Sequence, residues 1–183
     1  MRITPPHSPG IMRCVTAITI TQERPDAPDA FQLLSELDAD LQRHPYPPES
    51  RHAFTVEQLL REQVAFFIAR FQNEPVACGG IKMFSDYGEV KRMYVRPAHR
   101  GLGLGKMMLD HLGEHARAAG LDLLRLETGI YQVEAVRLYE GYGFLRRPPF
   151  GEYIENRLSV YLEKSLRPGN KTSLTRNFER TRH

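Results

Sequence analysis

Two kinds of hydrophobic spacing alternate along the chain. Cys14 to Thr21, "CVTAITIT", repeats β-branched residues at every second position, as a strand with one buried face does. In "PDAPDAFQLLSELDADLQRH" the apolar residues Phe31, Leu34, Leu37 and Leu41 fall at helical spacing. With Asp29 as N-cap, this predicts a helix that ends before the prolines of "HPYPPES". Thr55 opens a second, short helix through Arg61, with Glu57 and Gln58 in its first turn and Leu59 and Leu60 as its apolar contacts. "VAFFIARF" and "PVACGGIKMF" read as strands joined through "QNE" in a hairpin, and "YGEVKRMYV" as the strand that follows. Helical spacing returns from Gly103 to Ala119, where Met108, Leu112, Ala116 and Ala119 form one stripe and Gly120 supplies the C-cap. "LDLLRLET" is the next strand, parallel to the one before it because a helical crossover joins them. Gln132 to Glu140 is a further helix that stops at "GYGF", and "GFLRR" and "NRLSVYLEKSL" finish as strands. The order β-α-α-β-β-β-α-β-α-β-β predicts an α/β (mixed α+β) fold with a central mixed sheet of six to seven strands and helices on both faces.

Composition narrows this to one soluble domain. At 183 residues the chain suits a single well-cored unit, expected over 11–167, with a disordered segment at 1–10 and a basic tail at 168–183. Apolar residues make up 41% and charged residues 26%, and no long uncharged apolar run marks a membrane span. The first residues, "MRITPPHSPGIMRC", lack the apolar core of a signal peptide, so a cytoplasmic setting is expected. Cys14 and Cys78 match no metal spacing and read as separate reduced thiols. The net charge of +3 is concentrated in "KTSLTRNFERTRH", a basic tail without interleaved aromatics on a folded face; that pattern argues against nucleic acid as a partner.

The segment "RMYVRPAHRGLGLGKMML" adds candidate chemistry. Gly101, Gly103 and Gly105 stand between a strand and a helix, where they serve either as a connector or as a place for close approach to a ligand. The dinucleotide fingerprint GxGxxG fails because residue 106 is Lys106. A P-loop ending in Gly105-Lys106 fails at Arg100 and Met107. What remains is a glycine-lined helix N-terminus, whose outward N–H groups and positive dipole end suit an anion such as a phosphate, with Arg100 and Lys106 adding charge.

Arg100-x-x-Gly103-x-Gly105 after "EVKRMYV", followed by Ala135-x-x-Leu138-Tyr139-x-x-x-Gly143-Phe144, resembles the GNAT superfamily of acetyl-CoA-dependent N-acetyltransferases over about Phe31 to Leu166. "GEVKRMYV", "LETG" and "PFGEY" further resemble its small-molecule and amino-acid acetyltransferase members. The resemblance implies a mainly antiparallel GNAT-like sheet and acetyl-CoA as co-substrate. It also implies direct attack of a primary amine on the thioester, with no metal. The CoA pyrophosphate is then expected on the backbone amides of Arg100, Gly101, Leu102, Gly103, Leu104, Gly105 and Lys106. The pantetheine arm is expected along Met93, Tyr94 and Val95, with Gln132 standing where the family often has Asn.

An amine of pKa about 10.4 is protonated at neutral pH and needs a base. Glu89, eleven positions before Arg100, matches the place of the general base in several family members, and Glu127 on the neighbouring strand competes for the role. Desolvation in a cleft is the usual means of bringing a carboxyl group toward the range this task needs. Tyr139 matches the tyrosine beside the CoA sulfur that protonates the departing thiolate; simple packing is its other reading. His111-Leu112-Gly113-Glu114-His115 spells an inverted zinc-peptidase pattern, but with no third ligand evident it reads as a solvated helix face.

Acceptor selectivity is expected from "HPYPPESRH" and "RRPPFGEYIEN". Arg51, His52, Arg146 and Arg147 are candidates for an acceptor carboxylate, and Tyr46, Phe150 and Tyr153 for its side chain; ordinary loop charges and packing aromatics are the alternative. The predicted acceptor is the primary amine of a small, amino-acid-like molecule. A protein N-terminus or lysine is the first rival, and a non-catalytic acyl-CoA-binding module the second. The partners are thus acetyl-CoA and a small amine, with no membrane and with room for a homodimer.

Overall fold

A computed structural model of the chain describes residues 18–47 and 54–167. The expected strand start at Cys14, the segment 1–10, Arg51, His52 and the basic tail lie outside the described residues. Seven strands form one sheet: β1 (Ile18–Glu23), β2 (Ala65–Phe71), β3 (Glu74–Met83), β4 (Gly88–Val95), β5 (Leu123–Gly129), β6 (Leu145–Arg147) and β7 (Ser159–Ser165). Their order is β1-β2-β3-β4-β5-β7-β6, antiparallel at every pairing except the parallel β4–β5. The helices are α1 (Pro28–Gln42), α2 (Val56–Arg61), α3 (Leu104–Ala118) and α4 (Val133–Gly141). This is the element order that the hydrophobic pattern predicts, and the sheet is mainly antiparallel.

Local chemistry explains most of the element boundaries. The β2–β3 hairpin turns on Gln72 and Asn73, both at positive φ (51° and 65°), the geometry that matches the twist of paired strands. Thr55 accepts from the N–H of Gln58 while the Gln58 side chain accepts from the Thr55 N–H, so α2 opens with a full capping box. At α1 the expectation for Asp29 fails. Ala27 holds the N-cap position with no side-chain cap, Pro28 starts the helix, and Asp29 sits in the first turn, where its carboxylate accepts from Arg70 of β2. The buried stripe of α1 is Ala30, Leu33, Leu34 and Leu37, and Phe31 is 60% exposed. Two phases of apolar spacing compete on this helix, and the one with four residues within two turns wins the core.

The sheet carries a core on each face. Phe66, Ile68, Cys78 and Tyr94 meet α1 and α2, with Leu33, Leu34, Leu37 and Leu59 buried against them. Phe67, Ala69, Ala77, Ile81, Val90, Leu124, Leu126 and Leu162 face the other way, against Met108, Leu109 and Leu112 of α3 and Tyr139 of α4. The expected solvated face of α3 needs correction. The rings of His111 and His115 lie edge-on to Phe67 at 4.6 and 5.2 Å, and burial lowers the His115 pKa. Of the three only Glu114 is exposed, and no cluster of three metal-ligating side chains occurs among the described residues. None of the described helices is long and apolar enough to cross a membrane.

One irregularity in β4 decides what faces where. Its pairing with β3 runs from Gly80↔Lys91 to Cys78↔Tyr94, so Arg92 and Met93 together oppose Gly79 in a β-bulge, with Arg92 at φ 53°. The Cys78 thiol donates to the Arg92 carbonyl at 3.5 Å, and burial pushes that thiol up to about 12. Before the bulge, Glu89 and Lys91 point toward the α1–α2 side. After it, Tyr94 holds that side while Met93 and Val95 pack on the α3 core.

Candidate active site

Strands β4 and β5 are zipped only at their beginnings. Their ladder consists of Gly88↔Leu124 and Glu89↔Arg125, after which six further residues of β4 and four of β5 diverge. The N–H of Arg96 donates to Val76 on the β3 side at 2.9 Å. Because successive amides alternate in direction along a strand, those of Val95 and Met93 face the gap. A gap edged by main-chain donors suits an extended polar arm such as pantetheine, bound as a short additional strand.

At the head of this gap the chain makes one turn of 3₁₀ helix (Pro97–His99) and enters α3 through the glycines. Gly101 and Gly103 have φ of 80° and 82°, a conformation that L side chains adopt only with strain, and a Cβ on either would meet nothing within 4 Å. Both glycines therefore serve backbone shape and leave open space above it. The first amides of α3 have no intrahelical acceptor, so Leu104, Gly105 and Lys106 present N–H groups at the positive end of the helix. Gly105 has a different task. It is buried, and a Cβ there would stand 2.7 Å from Leu138 Cδ2, so its missing side chain lets α3 close on α4. Lys106 is exposed in the first turn. Arg100 is braced: its guanidinium reaches Asp40 of α1 (3.1 Å), Glu134 of α4 (3.2 Å) and the Val95 carbonyl (3.1 Å).

On the α1–α2 side of the sheet, Glu89 is 3% exposed. Its Oε1 accepts from the Lys91 ammonium at 2.6 Å and from the Tyr153 hydroxyl at 2.7 Å, and Lys91 also donates to that hydroxyl at 2.8 Å. The triangle is roofed by aromatics, with Lys91 Nζ 4.6 Å from the Phe54 ring centre and 5.2 Å from that of Tyr153. Burial first, and then the Glu89 charge, hold the Tyr153 hydroxyl well above the ordinary phenol range.

Glu127 lies on β5 opposite Tyr161 of β7, on the same face as Glu89, since Leu124 and Leu126 take the other. Its charge is felt at the hydroxyls of Tyr46, Tyr139 and Tyr153. Tyr139 is 6% exposed, with its ring edge-on to Phe144 at 5.8 Å; burial, then Glu127, push its hydroxyl above the ordinary value.

Tyr46 closes the far end. Its hydroxyl accepts from the Tyr131 N–H at 3.0 Å and occupies the place a Cβ of Gly129 would take, so the loop after α1 is pinned to the end of β5. Gln132, expected along pantetheine, holds the N-cap position of α4 and bonds the Tyr46 hydroxyl through its side chain. Of the other acceptor candidates, Phe150 is buried against Tyr87 and Tyr161, Arg146 is held by Glu140 and Arg147 by Glu163. These arginines are already paired.

The structure thus brings Glu89, Glu127, Tyr46 and Tyr153 to one side of the split sheet, and the glycine turn to its head. Reading the sequence missed Lys91 as a partner of Glu89. The available signal was its position two residues on in the same strand, which puts both side chains on one face.

A family model for the Acetyltransferase (GNAT) family matches residues 31–144. The chain is 42% identical over 154 residues to an IAA acetyltransferase of Azospirillum brasilense, covering 81% of this chain and 98% of that protein. It is 37% identical over 123 residues to the uncharacterized N-acetyltransferase YsnE of Bacillus subtilis, covering 66% of this chain and 82% of the relative. Among solved structures, one from Klebsiella pneumoniae that carries the name of an acyl-CoA N-acyltransferase is 35% identical. Its TM-score is 0.69, with 82% of this chain and 99% of that one covered. A GNAT acetyltransferase from Elizabethkingia anophelis with acetyl-CoA bound shares the fold at 21% identity and a TM-score of 0.61, covering 81% and 98%. The split sheet, the glycine turn at a helix N-terminus and these likenesses agree, and the chain belongs to the GNAT family of acetyltransferases, enzymes that take their acetyl group from acetyl-CoA.

Proposed function

We propose that the protein moves the acetyl group of acetyl-CoA to the primary amine of a small, amino-acid-like molecule by direct attack, with Glu89 as the base. The observation that carries this reading is the buried Glu89 on the cleft face of β4, within 2.7 Å of the Tyr153 hydroxyl. In the donor half, CoA phosphates take the amides of the turn from Arg100 to Lys106, and pantetheine takes the amides of Met93 and Val95. The thioester oxygen develops negative charge during attack, and a strand N–H aimed at it is the kind of fixed donor that contributes most in acyl transfer.

Tyr139 acts on the leaving sulfur. A phenol is a weaker acid than a thiol, by about 1.5 pKa units in ordinary surroundings, and Tyr139 is weaker still. Full proton transfer to a thiolate is therefore uphill, and hydrogen-bond donation to the sulfur is the role that suits this hydroxyl.

A small acceptor is supported by what borders the cleft. Tyr46 is tied to the segment that enters α4 on one side and Tyr153 to β4 on the other, so fixed aromatic side chains border the acceptor half, a surrounding that suits a small molecule. A thiol-release assay with acetyl-CoA against a panel of small amines, lysine peptides and IAA, the compound in the Azospirillum relative's name, tests the reading. Turnover of a small amine is expected. Efficient turnover of peptides alone reverses the acceptor assignment, and release with none of them points to a binding module. The proposal includes a cytoplasmic setting, and a sizing measurement decides on a homodimer.

A further inference from the structure

A base as deeply buried as Glu89 needs a path to the amine it serves. Its side chain is 4% exposed, and two partners share its Oε1: the Lys91 ammonium at 2.6 Å and the Tyr153 hydroxyl at 2.7 Å. The two differ in what they can carry. An ammonium has three protons and no lone pair, so Lys91 cannot receive a proton from an incoming amine. A hydroxyl has one proton and two lone pairs. Tyr153 points its proton at Glu89 and takes Lys91 on one lone pair at 2.8 Å, which leaves the second for a donor from the cleft. The hydroxyl is also fixed in place. Its ring packs on Phe150 (5.1 Å) and Tyr161 (5.6 Å), and the Tyr161 hydroxyl donates to the Ile154 carbonyl at 2.8 Å, anchoring the segment that carries Tyr153.

We propose that Tyr153 is a catalytic proton conduit between the acceptor ammonium and Glu89, an inference that rests on Glu89 being the base. In the step, one N–H bond of the ammonium breaks and its proton goes to the Tyr153 oxygen. The O–H proton of Tyr153 passes at the same time to Glu89 Oε1. The nitrogen keeps the electron pair with which it attacks the thioester carbonyl. Tyr153 begins and ends neutral, Glu89 ends protonated, and the total charge is unchanged. A concerted passage also avoids a tyrosinate, which burial and the nearby Glu89 charge make costly at this position. Lys91 is then a positioning residue that orients carboxylate and hydroxyl together.

The experiment compares Tyr153→Phe, Glu89→Gln and the double variant, using acetyl-CoA and the panel amine of highest turnover, with acetyl-CoA affinity measured by calorimetry. Phenylalanine keeps the ring contacts and removes only the hydroxyl. The expected result is a loss of about a hundredfold in kcat for each single variant. The double variant should lose no more than either single one, and acetyl-CoA affinity should hold throughout. If Glu89→Gln loses activity while Tyr153→Phe stays within about threefold, the conduit is overturned and the base survives. If Glu89→Gln is itself active, both fall. As a second measurement, kcat is followed in mixtures of H2O and D2O. Two protons moving together make its dependence on the deuterium fraction bow downward, and a linear dependence, the sign of a single proton in flight, overturns the proposal.

Discussion

At the scale of single residues, the two carboxylates of the cleft offer the first discrimination. Glu89→Gln is expected to cut kcat about a hundredfold, while Glu127→Gln changes it by less than about tenfold. Thiol-release kinetics with both variants decide this, and the reverse ranking assigns the base to Glu127. For Tyr139, a hydrogen bond to a charged sulfur contributes about 1.5–3 kcal/mol, so Tyr139→Phe should lower kcat by about tenfold to about a hundredfold. Retained Phe144 packing should keep its Tm close to that of the parent. Glu89 and Tyr139 can be named as candidates from the sequence because each sits at a fixed distance from a motif. Tyr153 is legible only as an aromatic in a loop. Its contact with Glu89 joins residues 64 apart in sequence, and no local periodicity reports such a distance.

At the scale of elements, the glycine turn and the helix it opens make a separate prediction. Gly103 sits at φ 82°, where a β-branched side chain is strained by more than the ~1–2 kcal/mol of an ordinary L-residue. Gly103→Val should therefore raise the acetyl-CoA dissociation constant about tenfold or more, measured by calorimetry, and an unchanged value would falsify the phosphate reading of this turn. Here the sequence was informative about place and less so about purpose. Three alternating glycines look equivalent on paper, yet Gly101 and Gly103 provide backbone shape whereas Gly105 provides room for Leu138. The stripe on α1 was likewise readable as a helix but misread in phase, because Phe31 and Leu33 are both large and apolar. The sheet beneath the helix chose between them. The bulge at Arg92 left no mark on the pattern. It depends on register with β3, which one strand alone does not encode.

At the scale of the whole molecule, β1, β2 and α1 are joined by ionic contacts of Arg70 with Glu23 and Asp29. The Arg70 hydrogen bond is the main cause that lowers the Glu23 pKa below its ordinary 4.5. A lowered folded value means that the unfolded chain binds the proton more readily. This stabilisation is therefore complete above about pH 4.5 and fades as pH falls through the folded value. Glu23→Gln should lower Tm by about 3 °C at pH 7, with the gap to the parent narrowing in acid below pH 4.5. Thermal scans at several pH values check both limbs. The order of elements along the chain was readable from sequence because their periodicities and turns are local, whereas the insertion of β7 between β5 and β6 and the length of each ladder were not. The two-rung seam between β4 and β5 is the case that matters most. Amides that end a ladder early have water as their partner, and water exchanges their hydrogens for deuterium. In the ligand-free enzyme Met93 and Val95 should label within seconds to minutes, while Tyr94, bonded toward β3, should resist. Saturation with acetyl-CoA should slow Met93 and Val95 at least tenfold if the donor lies along the seam as a strand. The split sheet would then keep a time record of its own occupancy, legible residue by residue in the rate at which deuterium arrives.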